Sequence, residues 1–93
     1  MSDFYRGTLR VMDPNGFLLD IGAADLQIDD PERKTWNGHL TVFKGSCIDR
    51  KSLTSLVETR DGTRSLAQIS PATGLERGRF ITMNVVGLGK APF

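Results

Sequence analysis

The sequence predicts an all-β protein, a small single-domain antiparallel barrel or sandwich of about seven strands. Apolar residues recur at every second position in short runs. Turn chemistry interrupts those runs at Asp13-Pro14-Asn15-Gly16, Asp29-Asp30-Pro31, Lys44-Gly45-Ser46, Asp61-Gly62 and Pro71-Ala72-Thr73-Gly74. Turns at intervals of roughly a dozen residues suit hairpins and leave no room for a long helix. The 93 residues make one domain spanning 1–93, long enough to bury a core without disulfide staples.

Residues 5–11 place Tyr5, Gly7, Leu9 and Val11 on one face and Arg6, Thr8 and Arg10 on the other, the two-residue period of a strand. Pro14 and Asn15-Gly16 then favour a tight reversal into 17–21, with Phe17, Leu19 and Ile21 expected inside. Gly22 and Ala23-Ala24 predict a bend or bulge, after which Ala24, Leu26 and Ile28 alternate with Asp25, Gln27 and Asp29. A charged loop containing Pro31 leads into 35–43, where Trp36, Gly38, Leu40 and Val42 share a face opposite Asn37, His39, Thr41 and Phe43. A glycine in a strand beside a large aromatic marks a place where backbone crosses a ring or a barrel turns a corner.

Residues 46–52 read as a loop or a single helical turn. Segments 53–59 and 64–69 flank Asp61-Gly62 and make the strongest hairpin, expected to use a type I′ turn. The last strand spans 79–88. Its Ile81, Met83 and Val85 oppose Phe80, Thr82, Asn84 and Val86, so both faces carry apolar residues and the strand should be central or cross two sheets. Gly87 and Gly89 let it kink or pass close to other backbone before Pro92 ends the ladder.

Twelve basic and eleven acidic residues leave a formal charge of +1, with the signs interspersed. That balance argues against a nucleic-acid partner, whose phosphates call for a basic face, although Arg60, Arg64, Arg77, Arg79 and Lys90 all fall in the C-terminal half. Cys47 is the single cysteine, so no intrachain disulfide can form and a reducing compartment fits. Residues 1–6 carry no basic leader or signal-length apolar run, and no stretch approaches a bilayer span; the expectation is a cytoplasmic protein without a membrane partner.

Assembled chemistry is not visible in the chain. His39 is the one histidine and has no nucleophile signature beside it, so no catalytic residue and no enzymatic activity is expected. One histidine, one cysteine and scattered carboxylates show no metal-ligand spacing. Gly87-Leu88-Gly89-Lys90 lacks the loop length, the hydroxyl residue and the following helix of a phosphate loop, so no cofactor is expected. Two binding readings stand. Phe43, Phe80, Val86 and Leu88 on the second face form a candidate protein interface. Tyr5, Trp36 and His39 mark a candidate small-molecule pocket at a barrel mouth or interior.

Tyr5-Arg6-Gly7, Trp36-Asn37-Gly38-His39, Asp61-Gly62 and the run from Val86 to Phe93 together resemble a family of small actinobacterial domains of unknown function. Its members stand alone or are fused C-terminally to flavin-dependent monooxygenases. The resemblance implies a Tyr-x-Gly strand, a Trp-x-Gly segment and a Gly-x-Gly-x-x-Pro-Phe close. His39 occupies the place where the pattern usually has arginine, so no role of that cation carries over. The resemblance supplies no catalytic residue and no flavin site; it implies an accessory or binding role. The expected function is a noncatalytic module acting by protein interaction or self-association beside an oxidoreductase, with small-molecule binding as the alternative.

Overall fold

Hydrogen-bonding demand shapes the assembly: six strands that pair only in hairpins would leave two exposed edges, and closing the sheet removes them. The computed structural model describes residues 3–48 and 51–93, the side chains of 73–77 excepted. The strands are β1 (Phe4–Met12), β2 (Leu18–Asp30), β3 (Thr35–Phe43), β4 (Leu53–Thr59), β5 (Arg64–Arg77) and β6 (Phe80–Gly87). All neighbours are antiparallel, and the barrel closes in the order β1-β2-β3-β6-β5-β4. Residues 46–48 and 51–52, read from the sequence as a loop or a single helical turn, carry no strand and no helix; Asp49 and Arg50 lie outside the described residues.

Alternation fills the interior as the sequence predicts for β1 and β3, and of the two apolar faces read in β6 the one carrying Ile81, Met83 and Val85 turns inward while Phe80 and Val86 stay exposed. Tyr5, Leu9 and Val11, then Trp36, Leu40 and Val42, then Ile81, Met83 and Val85 are all buried. Val57, Ala67 and Ile69 complete the wall from β4 and β5, and Ile48, in the segment after β3, is buried in the same core. Gly22 and Gly38 face inward where β2 and β3 coil tightly. A Cβ on Gly38 would stand 2.0 Å from the Asp25 carbonyl oxygen, and one on Gly22 would stand 2.5 Å from that of Thr41.

Three local expectations are corrected. Phe17 and Ile21 point outward, and Leu19 is half-buried. The reason is register: pairing runs unbroken from Phe4 opposite Gln27 to Val11 opposite Asp20, and the extra residue falls at Leu19, before Leu18 meets Met12. The phase change therefore sits beside the hairpin turn, and Gly22 is a close-packing position.

The second correction concerns the turns. Gly62 has φ +91° and its N–H donates to the Thr59 carbonyl at 2.9 Å, while Thr59 N–H donates to Thr63 at 3.0 Å. Left-handed backbone at Gly62 alone describes a type I turn with a glycine bulge instead of the type I′ turn, which needs two such residues. Gly16, at φ +93°, does the same between β1 and β2. Third, Pro71-Ala72-Thr73-Gly74 does not reverse the chain. β5 continues through it, and the register slips between Pro71, opposite Met83, and Glu76, opposite Ile81. A proline cannot donate to a ladder, and here that deficit falls at the edge of a bulge; the count is six strands because the runs on either side of Gly22 form one strand, β2.

The far end of the barrel is closed by residues 88–93. Trp36, 1% exposed, donates from Nε1 to the Gly89 carbonyl at 2.9 Å. Ser65 Oγ donates to the Lys90 carbonyl, and the Pro92 carbonyl oxygen lies 3.2 Å from Thr59 Oγ1. The Phe93 ring stands edge-on to Trp36, centroids 6.1 Å apart, and 6.2 Å from Tyr5. The glycine that the ring requires is Gly87: a Cβ there would lie 2.1 Å from Trp36 Nε1. Gly87→Ala should therefore cost about 3 kcal/mol, the upper range of overpacking, in urea unfolding followed by Trp36 fluorescence. Gly89→Ala, whose Cβ would be 3.3 Å from Ser65 Oγ, should cost much less. Equal stability of the two variants would show that the Trp36 ring is not fixed by that crossing.

Candidate functional site

A barrel whose interior is occupied by its own side chains can act only through its outer wall and its seams. Tyr5 and Trp36 are parts of that filling, each held by a hydrogen bond and by Phe93. His39 is exposed on the opposite face of β3. The structure thus brings Tyr5 and Trp36 together and leaves His39 outside, so the three do not share one chamber. The motifs behind the family resemblance converge likewise: Tyr5, Trp36, Gly87, Gly89, Pro92 and Phe93 meet at one barrel end as a structural lock.

His39 belongs to a polar row that crosses the wall. Register sets Arg6 opposite Asp25, Asp25 opposite His39, His39 opposite Asn84 and Asn84 opposite Ser70. The row lines much of a groove of about 400 Å³, to which Gln27, Asn37 and Val86 also contribute. Arg6 pairs with Asp25 at 3.4 Å, both exposed, which makes the contact weak. Cys47 is exposed in the loop beyond β3. Among the described residues, no group of three or more His, Cys, Asp or Glu side chains gathers to hold a metal.

The candidate interface residues are all exposed but fall into two sets. Phe43 and Phe80 are cross-strand partners whose rings stack with centroids 4.8 Å apart, and they are 58% and 44% exposed. Ile21 joins them along a groove of about 230 Å³. Phe17 and Leu18, also exposed, occupy the same barrel end. Val86 and Leu88 sit at the other end of β6, where Leu88 N–H donates to the exposed Leu66 at 2.9 Å. Sequence reasoning missed Ile21 because the bulge was placed at Gly22; Arg10 directly across from it was the available signal that this position faces out.

The seam between β1 and β4 is built differently from the other joints. β4 pairs only with residues 9–12 of β1. Beyond them the Tyr5 hydroxyl donates to the Thr8 carbonyl at 2.5 Å and accepts from Arg60 N–H at 3.1 Å. The Arg60 guanidinium lies 5.5 Å from the Tyr5 ring centroid and donates to the Arg6 carbonyl at 3.4 Å. Glu58 is shared by Arg64, at 2.7 Å, and Arg10, at 3.7 Å.

Asp61 at the head of this seam is held below the usual aspartate range, first by the Thr59 hydroxyl and then by the Thr63 backbone N–H. Its folded pKa lies below the unfolded value, so its contribution to stability is complete above the ordinary aspartate pKa of about 4 and is lost as pH falls through the folded value. A carboxyl-detected NMR titration should give Asp61 a midpoint below the ordinary aspartate value, and Thr59→Val should raise it toward that value. Tyr5→Phe should lower stability by about 1–3 kcal/mol, because it strips partners from both Thr8 and Arg60; an unchanged melting curve would mean that the hydroxyl does not hold the seam.

No family model matches the chain, and neither does any curated protein or solved structure.

Proposed function

We propose that the chain is a noncatalytic module that works by protein association through the wall formed by Ile21, Phe43 and Phe80. The observation that carries this reading is the stacked, exposed Phe43/Phe80 pair on a barrel whose interior is already full. Large aromatic side chains each cover roughly 150–250 Å² when buried, so this wall with Phe17 and Leu18 approaches the roughly 300–600 Å² of a functional surface patch. A polar rim would extend it toward the about 800 Å² per partner of a standard interface. A second copy satisfies the wall directly, since an isologous contact sets each stack against its counterpart. An oxidoreductase partner, which the motif resemblance implies, would meet the same side chains.

Sedimentation equilibrium tests the self-association form. The expected result is a concentration-dependent dimer that Phe43→Ser with Phe80→Ser weakens by at least about 30-fold, as for one lost hot spot of about 2 kcal/mol. A wild-type chain that remains monomeric at millimolar concentration removes it.

The groove over His39 favours a second reading, the binding of a small polar molecule, and relocates it from a chamber at Tyr5 and Trp36 to the outer wall. A ligand there should perturb the NMR signals of His39 and Asn84 while leaving Trp36 emission unchanged. A change confined to Trp36 would argue for the interior instead.

A further inference from the structure

One side of β1 is paired throughout, and the other is paired for less than half its length. Every residue from Phe4 to Val11 has a partner in β2, whereas β4 reaches only residues 9–12. In an antiparallel ladder the N–H and C=O of one residue point to the same side, and successive residues alternate. The Ile28 N–H donates to the Asp3 carbonyl at 2.8 Å, so odd-numbered residues bond toward β2. Phe4, Arg6 and Thr8 therefore direct their backbone groups into the seam. Consistent with this, the Arg6 and Thr8 carbonyls are the ones reached by the Arg60 guanidinium and the Tyr5 hydroxyl.

This is a short open strand edge inside a closed barrel, and side chains stand where a neighbouring backbone would otherwise run. A groove of about 340 Å³ follows it, lined by Phe4, Tyr5, Arg6, Arg60, Asp61 and Phe93. Its lining carries two cations, Arg6 and Arg60, and one anion, Asp61, whose carboxylate is taken up by Thr59 and Thr63; Arg6 also pairs with Asp25 outside the groove. Arg60 has no carboxylate ion-pair partner among the described residues and lies across the edge itself. Antiparallel pairing of this edge with its own copy, centred on Arg6, would set one Arg6 against the other, a destabilising like-charge pair.

We propose that the seam accepts an extended acidic peptide segment of a partner protein as an added strand along residues 4–8. The segment's backbone meets the groups of Arg6 and Thr8, its alternate side chains lie against Phe4 and Phe93, and an acidic side chain draws Arg60 off the edge into an ion pair. This surface is separate from the Phe43/Phe80 wall.

The test is an amide-detected NMR titration of the whole protein with an acetylated, amidated hexapeptide of alternating glutamate and valine. Saturable shifts should appear at Phe4, Arg6, Thr8 and Arg60, with slowed hydrogen exchange at Arg6 and Thr8. Binding should weaken at least about 10-fold for the lysine–valine peptide, for the glutamate–valine peptide methylated at alternate backbone nitrogens, and in Arg60→Gln. The Phe43→Ser/Phe80→Ser protein should bind the peptide normally, which separates failure here from failure of the association reading. The proposal is overturned by no saturable shift at millimolar peptide, by equal binding of the lysine or methylated peptides, by shifts confined to the Ile21 wall or the His39 groove, or by dimerisation through the seam.

Discussion

Everything in this fold rests on the crossing of Gly87 over the Trp36 ring. A barrel of six strands has a narrow interior, and its largest side chain fits only where the opposite backbone carries no Cβ. The same ring fixes residues 88–93, since its indole N–H bonds the Gly89 carbonyl and its edge meets Phe93. One aromatic residue thus couples β3, β6 and the segment that seals the barrel end. The polar groups buried by that sealing are answered in kind, with Ser65 donating to the Lys90 carbonyl and the Trp36 indole to that of Gly89.

A filled interior moves function to the outside. Trp36 and Tyr5, the aromatics that invite a ligand-pocket reading from sequence, serve the core and the seam. The outer wall is divided by cross-strand rows, each with its own chemistry: an apolar row through Ile21, Phe43 and Phe80, a polar row through Asp25, His39 and Asn84, and an open edge beside Arg60. Such division follows from register. Residues on one row come from different strands, so each surface is assembled from positions far apart in the chain.

The seam illustrates how a single side chain can set a boundary in a sheet. Tyr5 points inward with the core residues, yet its hydroxyl lies between Thr8 and Arg60 and satisfies both. The ladder with β4 stops there, and five residues of β1 run on without a ladder partner on that side among the described residues.

Alternation in the sequence by itself determined the fold class, the hairpins at Asp13 to Gly16 and Asp61-Gly62, and the inward faces of β1 and β3, because a two-residue period admits only one buried side; in β6, apolar on both faces, the closed barrel decided. Gly38 and Gly87 were legible as places of close approach, but which backbone or ring each one meets was not, since that depends on strands distant in the chain. Tertiary structure alone decided the bulge at Leu19, the passage of β5 through Pro71 to Gly74, and the separation of His39 from Tyr5 and Trp36. A one-residue shift of register reverses every side chain beyond it, and a bulge can be placed only when the partner strand is known. The same holds for the closure between β1 and β4: local pattern proposes strands, and only the cross-chain pairing says where a ladder ends.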